Sequence, residues 1–291
     1  MNNSILKSYL TSLKIEKNLS SNTISSYSID LNNFFEYVNK VYTKITLEDI
    51  NNYIIHLSKK GLNNSSINHN ITSLKMFYKY LIKEGITNTN LIDKVARPKK
   101  EAKLPDYLTI DEINMLLSFK LENAYDYRNK ALLELMYATG VRVSEVINVK
   151  ISDIDFYEDY ITVIGKGNKE RIIPLTSIAL ASIRVYLDEY YQDLLKSNKS
   201  EYLFINKSGG RLTRQGVVKI INTIALKQGI TKNIYPHIIR HSFATHLLNN
   251  GASLLVIKEL LGHENISTTG IYTHLSVKDF KDNYELYHPH K

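Results

Sequence analysis

The chain has 291 residues, 43% of them hydrophobic, which is apolar material enough for two domains with their own cores and excludes a largely disordered protein. Its 37 Lys and Arg against 29 Asp and Glu leave a formal charge of +8, a balance that favours a polyanionic partner such as nucleic acid, because basic side chains release condensed counterions when they neutralise phosphates. Cysteine is absent, which excludes disulfides and thiolate metal sites. No apolar run approaches the ~20 residues of a bilayer span and the opening MNNSILKSYL has no secretory pattern, so a cytoplasmic protein is expected.

Four blocks of helical periodicity fill the first hundred residues. Leu6, Leu10 and Leu13 begin the first, and Ile24, Tyr27, Leu31, Phe34 and Val38 form the second, after the serines at 20 and 21. Thr46 and Asp49 have capping-box spacing ahead of Ile50, Tyr53, Ile54 and Leu57, with Gly61 as a stop. Ile67, Ile71, Leu74, Tyr78 and Leu81 make the fourth, closed by Gly85. A four-helix N-terminal domain over residues 1–95 is expected. In ARPKKEAKLP, residues 96–105, prolines and basic residues interrupt the apolar pattern, as in an exposed linker able to lie along a phosphate backbone.

Residues 106–291 read as a mostly helical α+β domain with a small antiparallel sheet, making the whole chain mainly α. Thr109 and Glu112 form a second capping box, and Ala131 to Met136 continue a helical pattern. ITVIGKGNKERIIPL, Ile161 to Leu175, sets β-branched runs on either side of Gly165 to Asn168 and reads as a hairpin with Lys166 in its turn. Helices resume around Ile183, Leu187 and Tyr190, again at Val217, Ile220 and Ile224, and through the C-terminal third.

Four segments carry candidate chemistry: TGVRVSE (Thr139 to Glu145), HIIRHSFATHLLNNG (His237 to Gly251), LGH (Leu261 to His263) and TTGIYTH (Thr268 to His274). Charge grows on the non-bridging oxygens of a phosphodiester as a nucleophile approaches, so its cleavage calls for fixed cationic donors. Arginine meets that need with a planar fork that stays charged, and Arg142 and Arg240 are the candidates. A flexible turn lysine can protonate a leaving oxygen; Lys166 is preferred and Lys169 is its rival. GKGNK lacks the P-loop spacer and its Lys-Ser/Thr ending, so ATP is not indicated.

His237 and His263 are candidates for proton transfer or a hydrogen bond to phosphate near neutral pH. Zinc on His237, His241 and His246 is the competing reading, but His263-Glu264 lacks the second histidine of a zincin helix and no cysteine can complete a tetrahedron. Tyr272, one of 21 tyrosines, is the candidate nucleophile; a phenol of pKa about 10 needs neighbouring positive charge or a base to attack at neutral pH. Glu145, one turn after Arg142, is expected to buttress that arginine or the local fold.

The order Arg142, Lys166, His237-x-x-Arg240, His263, Tyr272 resembles the catalytic signature of the tyrosine recombinase (phage integrase) family. The wording of TGVRVSE, GKGNKER, HIIRHSFATHLLNNG, LLGHENISTT and IYTH is similar to its XerC/XerD branch, and the likeness covers almost the whole chain. The resemblance implies a C-shaped clamp on duplex DNA, with the N-terminal domain binding the core site and the C-terminal domain catalytic. It implies attack by Tyr272 to give a 3′-phosphotyrosyl bond and a free 5′-hydroxyl, with Arg142, His237 and Arg240 on the phosphate. Lys166 would protonate the leaving oxygen, His263 would support the transition state, and neither metal nor cofactor would be needed.

Recombination would proceed through a Holliday junction in a homo- or hetero-tetramer on two DNA sites, with a second recombinase and a DNA translocase of the FtsK type as further partners. Xer-type resolution of chromosome dimers at a dif-like site is the first reading. An integrase or resolvase of a mobile element is the second, and an inactive DNA-binding protein is the remote third. The tail around Phe280, Tyr284 and Leu286 would pack into a neighbouring protomer by the same analogy; without it, docking on its own domain is preferred. Gly270 stands where relatives commonly have glutamine, which loosens the segment bearing Tyr272, and the ending HPHK has histidine where arginine is usual.

Overall fold

The computed structural model describes residues 2–17, 19–98, 107–195, 199–232, 234–262, 284 and 286–290, with only the backbone of Lys166. Residues 99–106, most of the expected linker, lie outside the described residues. The chain divides into two compact units, Met1–Leu104 and Pro105–Lys291.

In the first unit the periodic blocks form α1 (Asn2–Ile15), α2 (Ser21–Val38), α3 (Leu47–Lys59) and α4 (Asn64–Lys83). Their starts are set by local side-chain bonds to otherwise orphaned amides. Ser20 Oγ accepts from Thr23 N at 3.3 Å, and Asn63 Oδ1 accepts from Ser66 N at 2.8 Å. At α3 the Thr46–Asp49 capping box closes with bonds of 3.2 and 2.9 Å, and Lys40 lies 2.8 Å from the Asp49 carboxylate. The core between these helices is aromatic: Phe34 meets Tyr53 edge-on at 5.1 Å and Tyr9 meets Phe77 at 5.4 Å. Leu6, Tyr9 and Leu13 are the buried residues of α1, whereas Leu10 is only half-buried. Asn68 Nδ2 on α4 donates to Pro98 O at 3.0 Å and fixes the chain as it leaves the unit.

The second unit is built around α6 (Ala124–Thr139), in which every residue from Ala131 to Thr139 is buried, as expected of a helix covered on all sides. Its cover includes α5 (Ile110–Leu117), begun by the Thr109–Glu112 box, and the short α7 (Val143–Val146) follows α6 in the chain. A three-stranded antiparallel sheet follows, in the order β1 (Ile154–Asp155), β2 (Tyr160–Ile164), β3 (Glu170–Pro174). Ile164 pairs with Glu170 and Val163 with Arg171, so the hairpin turn holds Lys166 as its sequence indicates. Then come α8 (Ser177–Val185), a π-helical turn over Tyr186–Tyr190, α9 (Tyr191–Leu195), α10 (Arg214–Lys227), α11 (Pro236–Asn249) and α12 (Leu254–Leu261). No helix among the described residues is long and apolar enough to cross a membrane.

The tail docks on its own unit, where the family resemblance points to a neighbouring protomer. Tyr284 is buried and its hydroxyl donates to Ala138 O at 2.5 Å, whereas Leu286 is exposed. Phe280 lies outside the described residues. His288 is buried against the rings of Tyr137, Phe243 and Tyr284. His290 Nε2 reaches the fully buried Glu134 at 3.0 Å, and Lys130 Nζ reaches the same carboxylate at 2.7 Å.

Burial pushes the His288 imidazole down to about 4. Between that value and the free value near 6.5 the unfolded chain holds a proton that the folded chain does not, so stability falls as pH drops through this window. Glu134, held low by His290 and Lys130 against the opposing effect of burial, adds a loss of the same sign further down. Denaturant titrations are expected to show a loss of up to about 3 kcal/mol between pH 7 and pH 4 from His288. Most of it should vanish in His288→Phe; an unchanged pH profile would place the titration elsewhere.

Candidate active site

Three arginines from three elements converge on the C-terminal end of α12, whose last carbonyls have no partner within the helix. Arg171 Nε on β3 donates to Leu260 O at 2.9 Å, Arg240 Nη2 on α11 to Leu261 O at 2.7 Å, and Arg142 Nη2, just ahead of α7, to Gly262 O at 3.5 Å. Cations at a helix C-terminus also complement its dipole. Arg240 Nη1 makes a second bond of 2.7 Å to Gly140 O, tying the end of α6 to the end of α12.

Glu145 is the anion of this cluster. It is 5% exposed, takes 2.9 Å bonds from Arg142 Nη1 and the Arg142 backbone N, and takes 3.2 and 2.8 Å bonds from Arg171 Nη1 and Nη2. Burial alone would raise its pKa; the hydrogen bonds and charge of Arg171, with the bonds from Arg142, outweigh it and hold the carboxyl below the usual range. Burial, reinforced by the charge of Arg142, lowers Arg240 to about 10, still protonated at neutral pH. Three guanidiniums against one carboxylate leave the cluster with excess positive charge, and Arg142 at 32% exposure turns part of it toward solvent. The arrangement is able to hold an anion.

Two glycines make the convergence sterically possible. Gly140 ends α6 with φ 58°, and a Cβ there would lie 2.4 Å from Phe243 Cδ1 on α11. Gly140→Ala is expected to destabilise the chain by about 3 kcal/mol, from left-handed strain plus overpacking. Because Phe243 shares α11 with Arg240, the same change should also slow any reaction at the cluster, as paired melts and activity assays would register. At Gly262, also left-handed, a Cβ would lie 3.2 Å from Arg171 Cδ, so the Gly262 backbone runs against that side chain.

Of the residues singled out in the sequence, Arg142 and Arg240 meet at this cluster, and Glu145 braces the former. The hairpin closes through Gly165 N to Lys169 O at 2.8 Å, and a Cβ on Gly165 would lie 3.4 Å from Arg171 Nη1 and 3.8 Å from Glu145 Oε1. The turn backbone that carries Lys166 therefore borders the cluster. His237 is exposed in the first turn of α11, one turn before the buried Arg240. Of the other members of the zinc alternative, His241 lies edge-on to Tyr107 at 6.4 Å, and His246 shares a 2.8 Å hydrogen bond with Tyr137. His263 and Tyr272 lie outside the described residues.

The comparisons with known proteins fit this geometry. Residues 6–85 match the N-terminal SAM-like domain of phage integrases, and residues 106–279 match the phage integrase family. The chain belongs to the phage integrase family. Over 283 residues it is 44% identical to the tyrosine recombinase XerD of Oceanobacillus iheyensis, covering 95% of each chain. It is similar along the whole of both chains to a crystal structure of XerA recombinase, with 31% identity and a TM-score of 0.51. At 25% identity and a TM-score of 0.67, it is also similar to XerH bound to its difH substrate before cleavage, over 88% of this chain and 78% of that one. This member of the phage integrase family is thus a tyrosine site-specific recombinase of the Xer type.

Arg171 is the residue of this phage integrase site that the sequence did not yield. In GKGNKER it stands beside Glu170 and reads as one more exposed hairpin charge. The available signal was strand alternation: Arg171 and Ile173 share a face of β3, and Ile173 is fully buried.

Proposed function

We propose that the chain cleaves and rejoins duplex DNA through a 3′-phosphotyrosyl intermediate on Tyr272. The observation that carries this reading is the cluster of Arg142, Arg171 and Arg240 around Glu145, whose net positive charge suits the phosphate of a transition state. Arg142, His237 and Arg240 hold the non-bridging oxygens, and Lys166 protonates the departing 5′ oxygen. His263 stands beside the phosphate in the transition state. The Leu261 and Gly262 carbonyls accept from Arg240 and Arg142, and His263 is the next residue in the sequence. Rejoining reverses the step with a hydroxyl from the partner duplex, and the protein link conserves the bond, so neither ATP nor metal enters.

The first unit supplies the grip on DNA. Lys and Arg number 15 and Asp and Glu 8 over residues 1–104, which puts seven of the chain's eight net positive charges there. Exchange between two sites requires four protomers, either of this chain or of this chain with a second recombinase, and passes through a Holliday junction. The relationship to XerD favours resolution of chromosome dimers at a dif-like site in the cytoplasm, with a DNA translocase of the FtsK type as a further partner.

A nicked suicide duplex tests the chemistry, because the short strand released by cleavage diffuses away and leaves the protein trapped. Wild-type protein should form an adduct on the 3′ phosphate, in chelator and without ATP. Failure to form any adduct on a bound site overturns the proposal; loss of the adduct on chelation overturns its metal-free part.

A further inference from the structure

Arg171 is nearly as buried as the carboxylate it grips, with a side chain 9% exposed against 32% for Arg142. All three of its guanidinium nitrogens are engaged within the protein: Nη1 and Nη2 take the two oxygens of Glu145 at 3.2 and 2.8 Å, and Nε takes Leu260 O at 2.9 Å. The bidentate grip matters because the same two oxygens orient Arg142, Oε1 through its Nη1 and Oε2 through its backbone N. Glu145 is thereby clamped from one side by Arg171 and holds Arg142 with the other.

The guanidinium of Arg171 also lies between two glycines. A Cβ on Gly262 would approach its Cζ to 3.3 Å, and one on Gly165 would approach its Nη1 to 3.4 Å. Gly262 immediately precedes His263, and Gly165 immediately precedes Lys166. One planar group therefore sets the spacing of three backbones: the hairpin turn, the entry to α7 and the exit from α12.

We propose that Arg171 is a positioning residue for strand cleavage, aiming the Arg142 fork through Glu145 and registering the Lys166 turn and the chain before His263 against that fork. The proposal rests on the recombinase reading above. Lysine cannot replace arginine in this role, since it keeps the charge but offers a single point where a fork spans two oxygens and a carbonyl. A displacement of about 1 Å in a catalytic group is worth about 10²-fold in rate, so the expected loss is large without any change in net charge.

The experiment measures single-turnover adduct formation on the nicked duplex for Arg171→Lys and Arg171→Met, with duplex affinity and melting temperature in parallel. Adduct formation should fall by about 10²-fold in both, with affinity held within about threefold. The decisive readout is a cycle with Arg142→Lys. Once the fork is gone, adding Arg171→Lys should cost less than about threefold more, because both changes remove one interaction. Fully multiplied losses would make Arg171 a scaffold residue and overturn the proposal, as would wild-type rates in the single variants. Arg171→Lys retains charge and most volume, so it keeps the test open if Arg171→Met melts too low to assay. The wild-type chain and Tyr272→Phe in the same assay separate the two readings: no adduct from wild type overturns the recombinase reading itself, whereas normal adducts from wild type and the Arg171 variants alike overturn only this inference.

Discussion

Tyr272→Phe will bind the duplex as wild type does and form no covalent adduct at any time on the nicked substrate. The substitution removes one oxygen and leaves the ring, so net charge is unchanged at neutral pH and the proposed phosphate contacts of the arginines remain available. Tyr272 is the proposed nucleophile by its place in the motif order, and chain length alone does not exclude its serving its own cluster. Tyr272 is the tenth residue after Gly262, whose carbonyl accepts from Arg142, and ten residues span at most about 35 Å. The cationic cluster has a second effect on this step. A phenol with pKa about 10 is almost wholly protonated at neutral pH, and guanidinium charge beside it favours the phenolate. Raising pH from 7 to 9 should therefore speed adduct formation by wild type, while Arg240, at about 10, keeps its charge over most of that range. An adduct from Tyr272→Phe would transfer the nucleophile's role to another residue.

Much of this fold was legible because its signals are local. The Thr46–Asp49 and Thr109–Glu112 capping boxes close as their spacing implies, and Gly140 stops α6 ahead of Arg142. The hairpin followed from two β-branched runs about a glycine-rich turn. What the sequence hid is non-local. Arg171 acquires its partners Glu145 and Leu260 from 26 and 89 residues away, and no neighbour in the chain announces that burial. Glu134 is equally concealed: its spacing to Lys130 suggests an exposed helical pair, yet its carboxylate is fully buried and also meets His290 from the far end of the chain. The seat of Tyr284 is hidden for the same reason, since it depends on the distant Ala138 carbonyl that receives its hydroxyl. Spacing did put His237 and Arg240 one turn apart, but it could not separate an exposed histidine from a buried arginine.

Arg240 sits where the proposed catalysis and the folding depend on the same atoms, so its removal should show two separable losses. Its fork already donates to Gly140 O and Leu261 O, and alanine would leave both buried carbonyls without charged donors. Losing them should cost about 2–4 kcal/mol of stability, with unfolding read by denaturant titration. Adduct formation should fall by about 10²- to 10³-fold, the scale of removing one preorganised donor from a developing oxyanion, while duplex affinity changes far less. The disparity is the informative quantity. At 8% exposure Arg240 is poorly placed to attract DNA from solution, whereas the half-buried Arg142 and the basic first unit can do so. Arg240→Lys sharpens the test, because it retains a cation in the same burial yet cannot bridge two carbonyls and a phosphate with one ammonium. It should recover part of the stability and little of the rate. Equal losses in binding and cleavage would instead make Arg240 an anchoring contact, and the catalytic weight of the cluster would pass to Arg142.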